Sequence, residues 1–379
     1  MVTSLLAVVV IGTVVKWAAS SSKKPLLVVR GVVDSESKDF FADPRVKAAF
    51  AKHGIDVQAV VADSGQIATL TDGANYHFAF TPDIATVGQL LAARHVTTTY
   101  VPFYSPMAVA TFTDVAQVLA RANVARDHGG WWTIDMRDYL DLVGEHMTWE
   151  QLPGKTGYRA TKPVLITSTD RTASNSAAMY AAIVSYVANQ NQVLDSPASV
   201  DTVVNRVSPV FVDQRFTEQS TKALFDRYLS AGQGTTPMLI ISEAQFVARA
   251  TASDGGIHPN MVLMYPVPDV LSKFTLVPFS ASGDAVGRLL DVDPGLQQLA
   301  VDHGFRIASK PAAIDTFVKH NDLVHVAPQP LDVIEPPTYP ILDALMTTID
   351  AALHVSLGPG PGPSTSNELL NLPAPATGR

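Results

Sequence analysis

The stretch LLVVRGVVDSESKDFFADPRVKAAFAKHGIDVQAVVA, residues 26–62, holds a strand, a polar turn, a helix and a second strand in 37 residues. Residues 26–33 form a short apolar run of the length expected for a buried strand. Asp43-Pro44 then opens a helix and Gly54 closes it, with Val46, Ala49 and Phe50 on one face. Aspartate at the cap, proline in the first turn and glycine past the end are the expected punctuation of such a helix. Residues 55–62 (IDVQAVVA) read as the next strand. Strand, helix and strand in this order predict a parallel βαβ unit, and hence an α/β fold.

The same pattern continues outward. YHFAF (76–80) reads as a strand, and Thr81-Pro82 caps a helix with Ile84, Val87, Leu90 and Leu91 facing inward. TTYVPFY (98–104) is another strand, and Thr113 starts a helix with Val115, Val118 and Leu119 on one side. KPVLITST (162–169) reads as a strand that ends in a polar loop. Ser174-Asn175-Ser176 starts the following helix, with Met179, Ile183 and Val187 in one stripe. A helix over 217–230 and the strand PMLIIS (237–242) come next. At 261–279, β-rich sequence is broken by two prolines. Asp293-Pro294 … His303-Gly304 repeats the spacing of Asp43-Pro44 … His53-Gly54. An internal duplication and independent capping both account for that match. Beyond His354, alternating glycine and proline cannot continue a helix or a ladder, so 355–379 reads as a disordered tail.

Composition limits the function. Of 379 residues, 27 are Lys or Arg and 35 are Asp or Glu, so the formal charge is −8 and nucleic-acid binding is not expected. The length suits two or three domains. The chain has no cysteine, which excludes disulfides, cysteine-ligated metals and thiol catalysis. Leu5–Val15 (LLAVVVIGTVV) is apolar, short for a membrane span and of the length of a signal-peptide core. Residues 1–24 are therefore expected to act as an export signal or a signal anchor, the alternative being a buried strand.

Motifs of catalysis are missing. There is no G-x-S-x-G and no H-E-x-x-H. His320 and His325 are five apart and do not share a helix face, so no metal site is expected. Gly154-Lys155-Thr156 lacks the first glycine of a phosphate loop, since Trp149 stands in its place. Ser35-x-x-Lys38, Lys155-Thr156-Gly157 and Ser174-Asn175 occur in the wrong order for a serine hydrolase of the β-lactamase type. What remains are three polar loops between strands and helices: 34–38, 81–83 and 167–176. In an open α/β sheet ligands sit at this edge, where helix N-termini offer free N–H groups. Plain helix capping also prefers these residue types.

Three stretches carry a family resemblance. They are VVRGVVDSESKDFFADPRVKAAFAKHGIDVQAVVADSG, KPVLITSTDRTASNSAAMYAAIVSYVAN and GRLLDVDPGLQQLAVDHGFRIA. The chain resembles a bacterial extracellular solute-binding protein of the type 2 periplasmic binding protein class over about residues 26–354. The resemblance implies two three-layer α/β lobes joined by two crossing strands, near 105–112 and 262–270. The first lobe would combine 26–108 with 270–354, and the second would be 109–269. It also implies a small polar solute bound between the lobes by Ser35, Glu36, Thr81, Thr169, Asp170, Ser174, Asn175 and Ser176. Glu243 and Tyr265, at the second lobe and the second crossing, join that set. No cofactor and no catalytic residue is expected. A membrane permease or an envelope protein would be the partner, with the protein held at the extracytoplasmic face of the cell membrane by its apolar amino-terminal segment. Two other readings stay open. One is an envelope interaction protein with a degenerate cleft, and the other is an enzyme on the same fold using Asp34 and Glu36.

Overall fold

The computed structural model describes residues 25–62, 64–71, 75–154, 157–170, 175–214, 218, 220–253 and 255–357. The apolar segment Leu5–Val15, Ser174 and the sequence beyond 357 lie outside the described residues. Among the described residues there are ten strands. They are β1 (Leu27–Asp34), β2 (Ile55–Ala62), β3 (Phe78–Thr81), β4 (Tyr100–Phe112), β5 (Ala125–Asp127), β6 (Trp132–Asp135), β7 (Met238–Ser242), β8 (Met261–Val267), β9 (Asp269–Pro278) and β10 (Val333–Ile334).

β1 lies between β2 and β3 and is parallel to both, its pairing with β2 being the one the opening stretch predicts. β3 and β4 flank β9 antiparallel to it, which completes the first sheet. The first part of β4, up to Pro106, pairs with β9. Its second part, from Met107, pairs with β7 on one side and β8 on the other. β6 then lies parallel to β8, and β5 pairs with β6. β4 therefore runs from one sheet into the other, and the chain returns through β8 and β9. These are the two crossing strands of a two-lobed α/β protein. Pro102, which has no N–H to give, sits where the β4–β9 register shifts between Tyr100 and Phe103.

Both faces of the first sheet are covered. Val29, Val33, Phe78 and Phe80 pack under the helices Lys38–Ala42 and Pro44–Lys52, through Phe40, Phe41, Val46 and Phe50. Val32, Ala79 and Val277 face the other way, against Ile67 and Leu90 of the helices Ser64–Thr71 and Ile84–Arg94. Gly31 is required here. A Cβ at that position would sit 2.1 Å from the Phe78 ring. In the second lobe Val115 and Leu119 of helix Thr113–Arg121 and Met179, Tyr180 and Ile183 of helix Asn175–Ala188 are buried in the continuous main core.

The two Asp-Pro … His-Gly segments form a matched pair. Helices Pro44–Lys52 and Pro294–Asp302 pack together. Asp43 caps the first through the Arg45 amide at 2.7 Å, and Asp293 caps the second through the Gly295 amide at 2.8 Å. Each cap aspartate also bonds the histidine that ends the other helix. His53 Nε2 lies 2.8 Å from Asp293 Oδ2, and His303 Nε2 lies 3.0 Å from Asp43 Oδ2. Reciprocal pairing gives the repeated spacing a structural use, whatever its origin.

Four expectations change. The helix after β3 is capped by Asp83, whose carboxylate accepts from the amides of Ala85 and Thr86, while Thr81 only accepts the Asp83 amide. Residues 162–169 form no regular strand. Their ladder is reduced to two bridges, Thr148–Pro163 and Thr167–Leu239, because Ile166 gives its N–H to the Tyr139 hydroxyl instead. The helix expected over 217–230 starts only at Thr221, where the Ser220 hydroxyl caps it. The last helix, Tyr339–Leu357, runs three residues into the expected tail, since Val355, Ser356 and Leu357 precede the first glycine and proline. This helix packs on helices Pro197–Val212 and Asn175–Ala188 of the second lobe as well as on Ile84–Arg94 of the first. Among the described residues, no helix is long and apolar enough to cross a membrane.

Candidate functional site

β1 ends at Asp34, whose carboxylate accepts the Glu36 amide at 2.9 Å. That bond turns the chain into the single 3-10 turn Ser35–Ser37. Phe40 and Phe41 then anchor the following helix in the core. The turn points Glu36 across to the second lobe, where its Oε2 accepts the Ser242 hydroxyl at 3.1 Å. Burial, and next the neighbouring Asp34 carboxylate, push the Glu36 carboxyl up to about 8, with the Ser242 hydrogen bond opposing in part. Glu36 is thus mostly uncharged at neutral pH.

A cavity of about 100 Å³ opens at this contact. Ser35, Glu36, Asp39, Phe40, His303 and Phe305 line it from the first lobe. From the second lobe come Lys222, Phe225 and Asp226 of helix Thr221–Ala231, then Ser242, Gln245 and Arg249 at the start and along helix Glu243–Thr251. Asp226 is shared by Lys222 at 2.6 Å and Arg249 at 3.0 Å.

A second polar group reaches the start of helix Thr221–Ala231 through Ser176. Thr169, Asn175 and Ser176, all expected ligand residues, are buried. Ser176 Oγ is 3.5 Å from the hydroxyl of Thr221, the residue before Lys222. Asn175 Nδ2 donates to Ser272 Oγ of β9 at 2.9 Å, which ties the second lobe to a crossing strand. Thr169 Oγ1 and Asn175 Oδ1 are buried with no hydrogen-bond partner. Unpaired buried polar atoms cost stability unless something meets them. Asp170 donates its amide to the Glu218 carbonyl at 2.8 Å.

Glu243 and Tyr265 fall elsewhere. Glu243 is fully buried and takes both oxygens to Arg306, at 2.7 Å each. The Tyr265 hydroxyl donates to the same carboxylate. Arg306 also donates to the carbonyl of Ala327 at 2.6 Å, and its backbone pairs with Tyr104 of β4. Burial works against the Arg306 charge, but Glu243 outweighs it and holds the guanidinium above its ordinary value. Burial, and then the Glu243 charge, raise the Tyr265 hydroxyl. These groups form an ion pair between the lobes and leave Glu243 no free oxygen for a ligand. Thr81 is buried in β3 and is not among the residues that line the cavity.

Of the expected residues, Ser35 and Glu36 therefore meet at the cavity, Ser176 approaches the start of one of its helices, and Thr169 and Asn175 are buried but are not among its lining. Lys222, Arg249, Asp39 and His303 were not foreseen, because ordinary surface helices carry the same residue types. Arg306 had a signal. It is a lone charge in the apolar run Phe305-Arg306-Ile307. Among the described residues, no group of three or more His, Cys, Asp and Glu could hold a metal ion.

No protein-family model and no curated protein matches this sequence. Solved structures do match in fold. The sulfate-binding protein SubI from Mycobacterium tuberculosis H37Rv aligns over 86% of this chain and 99% of its own, with a TM-score of 0.52 and 14% identity. The apo ferric ion-binding protein A of Pasteurella haemolytica aligns over 86% and 95%, with a TM-score of 0.51 and 11% identity. The periplasmic binding protein AfuA from Actinobacillus pleuropneumoniae, with fructose-6-phosphate bound, aligns over 86% and 97%, with a TM-score of 0.51 and 10% identity. The fold is that of the type 2 periplasmic binding proteins.

Proposed function

We propose that this protein is an extracytoplasmic solute-binding protein that holds a small polar ligand between its two lobes. One observation carries the reading. A cavity with charged and aromatic walls lies where the turn after β1 meets the helices that begin at Thr221 and Glu243, and residues of both lobes line it. A ligand seated there touches both lobes at once and so favours the closed arrangement over an open one. Ser35, Glu36, Ser242, Lys222 and Arg249 form its near wall in this reading. Thr169, Asp170, Ser174, Asn175 and Ser176 complete the proposed ligand set.

The lobe division that goes with this reading is 26–108 with 270–334 against 109–269, with helix Tyr339–Leu357 attached to the second lobe through its contacts there. Residues 1–24 would serve as signal or anchor, and a membrane permease or an envelope protein would receive the loaded form. Binding needs no chemical step. The cations at the cavity, Lys222 and Arg249, are both engaged by Asp226.

The test is thermal unfolding of the full chain with sulfate, phosphate, sugars, sugar phosphates and amino acids. A ligand at a hundred times its Kd stabilises the native state by about 2.7 kcal/mol and raises Tm accordingly. One class is expected to do so, and the Glu36→Ala and Asn175→Ala variants are expected to reduce the shift. A flat response to every class overturns the reading.

A further inference from the structure

The charges at the cavity are sorted by lobe. On the first-lobe side the turn and helix after β1 present Glu36 and Asp39. On the second-lobe side Lys222 stands in the first turn of one helix and Arg249 in the last turn of another. These two cations share the single carboxylate of Asp226, so their side keeps an excess of positive charge. The helix starts at Thr221 and Glu243 add the positive ends of two helix dipoles to it. Glu36, by contrast, takes a hydrogen bond from the neutral Ser242 hydroxyl and forms no ion pair among the described residues. Between the two sides the walls are aromatic, with Phe40 and Phe305 from one lobe and Phe225 from the other.

Resting on the receptor reading above, we infer that the cavity takes a small zwitterion, its ammonium group at Glu36 and Asp39 and its carboxylate at Lys222 and Arg249. A simple anion would meet Glu36 and Asp39 across the cavity, and a simple cation would meet Lys222 and Arg249. Either could engage only one lobe. A zwitterion engages both, and its differential affinity for the closed form is larger for that reason. Aromatic faces suit the carbon-bound hydrogens of an ammonium ligand. A cavity of about 100 Å³ keeps the ligand small.

The inference has a proton signature. A fixed positive charge beside Glu36 favours the ionised carboxylate, so binding expels the proton that burial and Asp34 keep there. The charged and titratable groups around Glu36 are Asp34 at the end of its own strand, Asp39 on the next helix, Lys222, Asp226 and Arg249 from the second lobe, and His303. Zwitterion affinity then rises with pH as long as Glu36 is protonated in the free protein.

Calorimetric titration of the full chain tests this with L-alanine, glycine betaine, tetramethylammonium, acetate and sulfate. Both zwitterions are expected to bind about ten-fold or more tighter than tetramethylammonium or acetate. Glycine betaine, whose ammonium cannot titrate, is expected to bind about ten-fold tighter at about pH 7 than at about pH 6, as release of one proton requires. Glu36→Gln abolishes that pH dependence. Lys222→Gln, at an exposed position, weakens zwitterion binding and leaves the pH slope in place. Zwitterions that bind no better than the simple ions overturn the inference. Tight binding of sulfate, or of a sugar that raises Tm, with no zwitterion bound overturns it too, and leaves the receptor reading standing. Failure of every solute removes both.

Discussion

Arg306 and Glu243 have no exposed side-chain surface, and they come from different lobes. Taking two charges out of water costs several kcal/mol per ion, and only close pairing with further hydrogen bonds offsets it. Both oxygens of Glu243, the Ala327 carbonyl and the Tyr265 hydroxyl supply those bonds. Arg306→Met is therefore expected to destabilise the protein by about 3–5 kcal/mol in urea unfolding, since it leaves Glu243 buried and unpaired. The double variant Arg306→Met/Glu243→Leu is expected to lose less than Arg306→Met alone. An equal or larger loss would mean that the pair itself, and not the stranded charge, carries the effect. At this scale the sequence shows a lone arginine in an apolar run and a glutamate after a strand. It does not show that they meet, because 63 positions separate them.

At the scale of elements, the helices Pro44–Lys52 and Pro294–Asp302 could be read from sequence almost to the residue. Asp-Pro starts and His-Gly ends act within one turn of chain, where local hydrogen bonds decide the outcome. Their mutual pairing could not be read, because it needs the two helices side by side. It also makes the pair sensitive to acid. The Arg45 side chain leads in holding the Asp43 carboxyl well below its ordinary value, with His303 helping. Burial would raise Asp293, but the Leu296 amide, His53 and the Gly295 amide outweigh it and keep it low. A carboxyl held low in the folded state stabilises above its unfolded pKa, near 4, and that contribution is lost as pH falls below it. Asp43→Asn keeps the cap and should flatten the loss of Tm between about pH 5 and pH 3. Asp43→Ala removes the cap as well and should cost about 1–2 kcal/mol at neutral pH. An unchanged acid slope in Asp43→Asn would place the acid sensitivity elsewhere.

For the whole molecule, the contact between the lobes is the feature on which the proposed function turns. Gly304 shows how close it is. Its φ is +86°, and a Cβ there would lie 2.6 Å from the Ala244 carbonyl oxygen of the second lobe. Gly304→Ala is expected to cost about 1–3 kcal/mol of stability through left-handed strain and to widen the lobes, read as a larger radius of gyration by X-ray scattering. A variant with the parent's radius and stability would show that the contact yields freely. The opening stretch, residues 26–62, was enough by itself to determine the α/β class, because the period of its apolar residues and the punctuation of its helix are local properties. The stretch 261–279 was legible as β-rich sequence broken by two prolines, but that it and 105–112 cross between two lobes was implied only by the family resemblance. The three polar loops were legible as loops. Which of them meet was decided only by the tertiary structure. It set Ser35 and Glu36 against Lys222 and Arg249, tied Asn175 to Ser272 and Ser176 to Thr221, left Thr81 within its own strand and gave Glu243 to Arg306. Charge and hydrogen bonding at a site depend on distance through space, and residues that far apart along a chain acquire a distance only when the lobes pack.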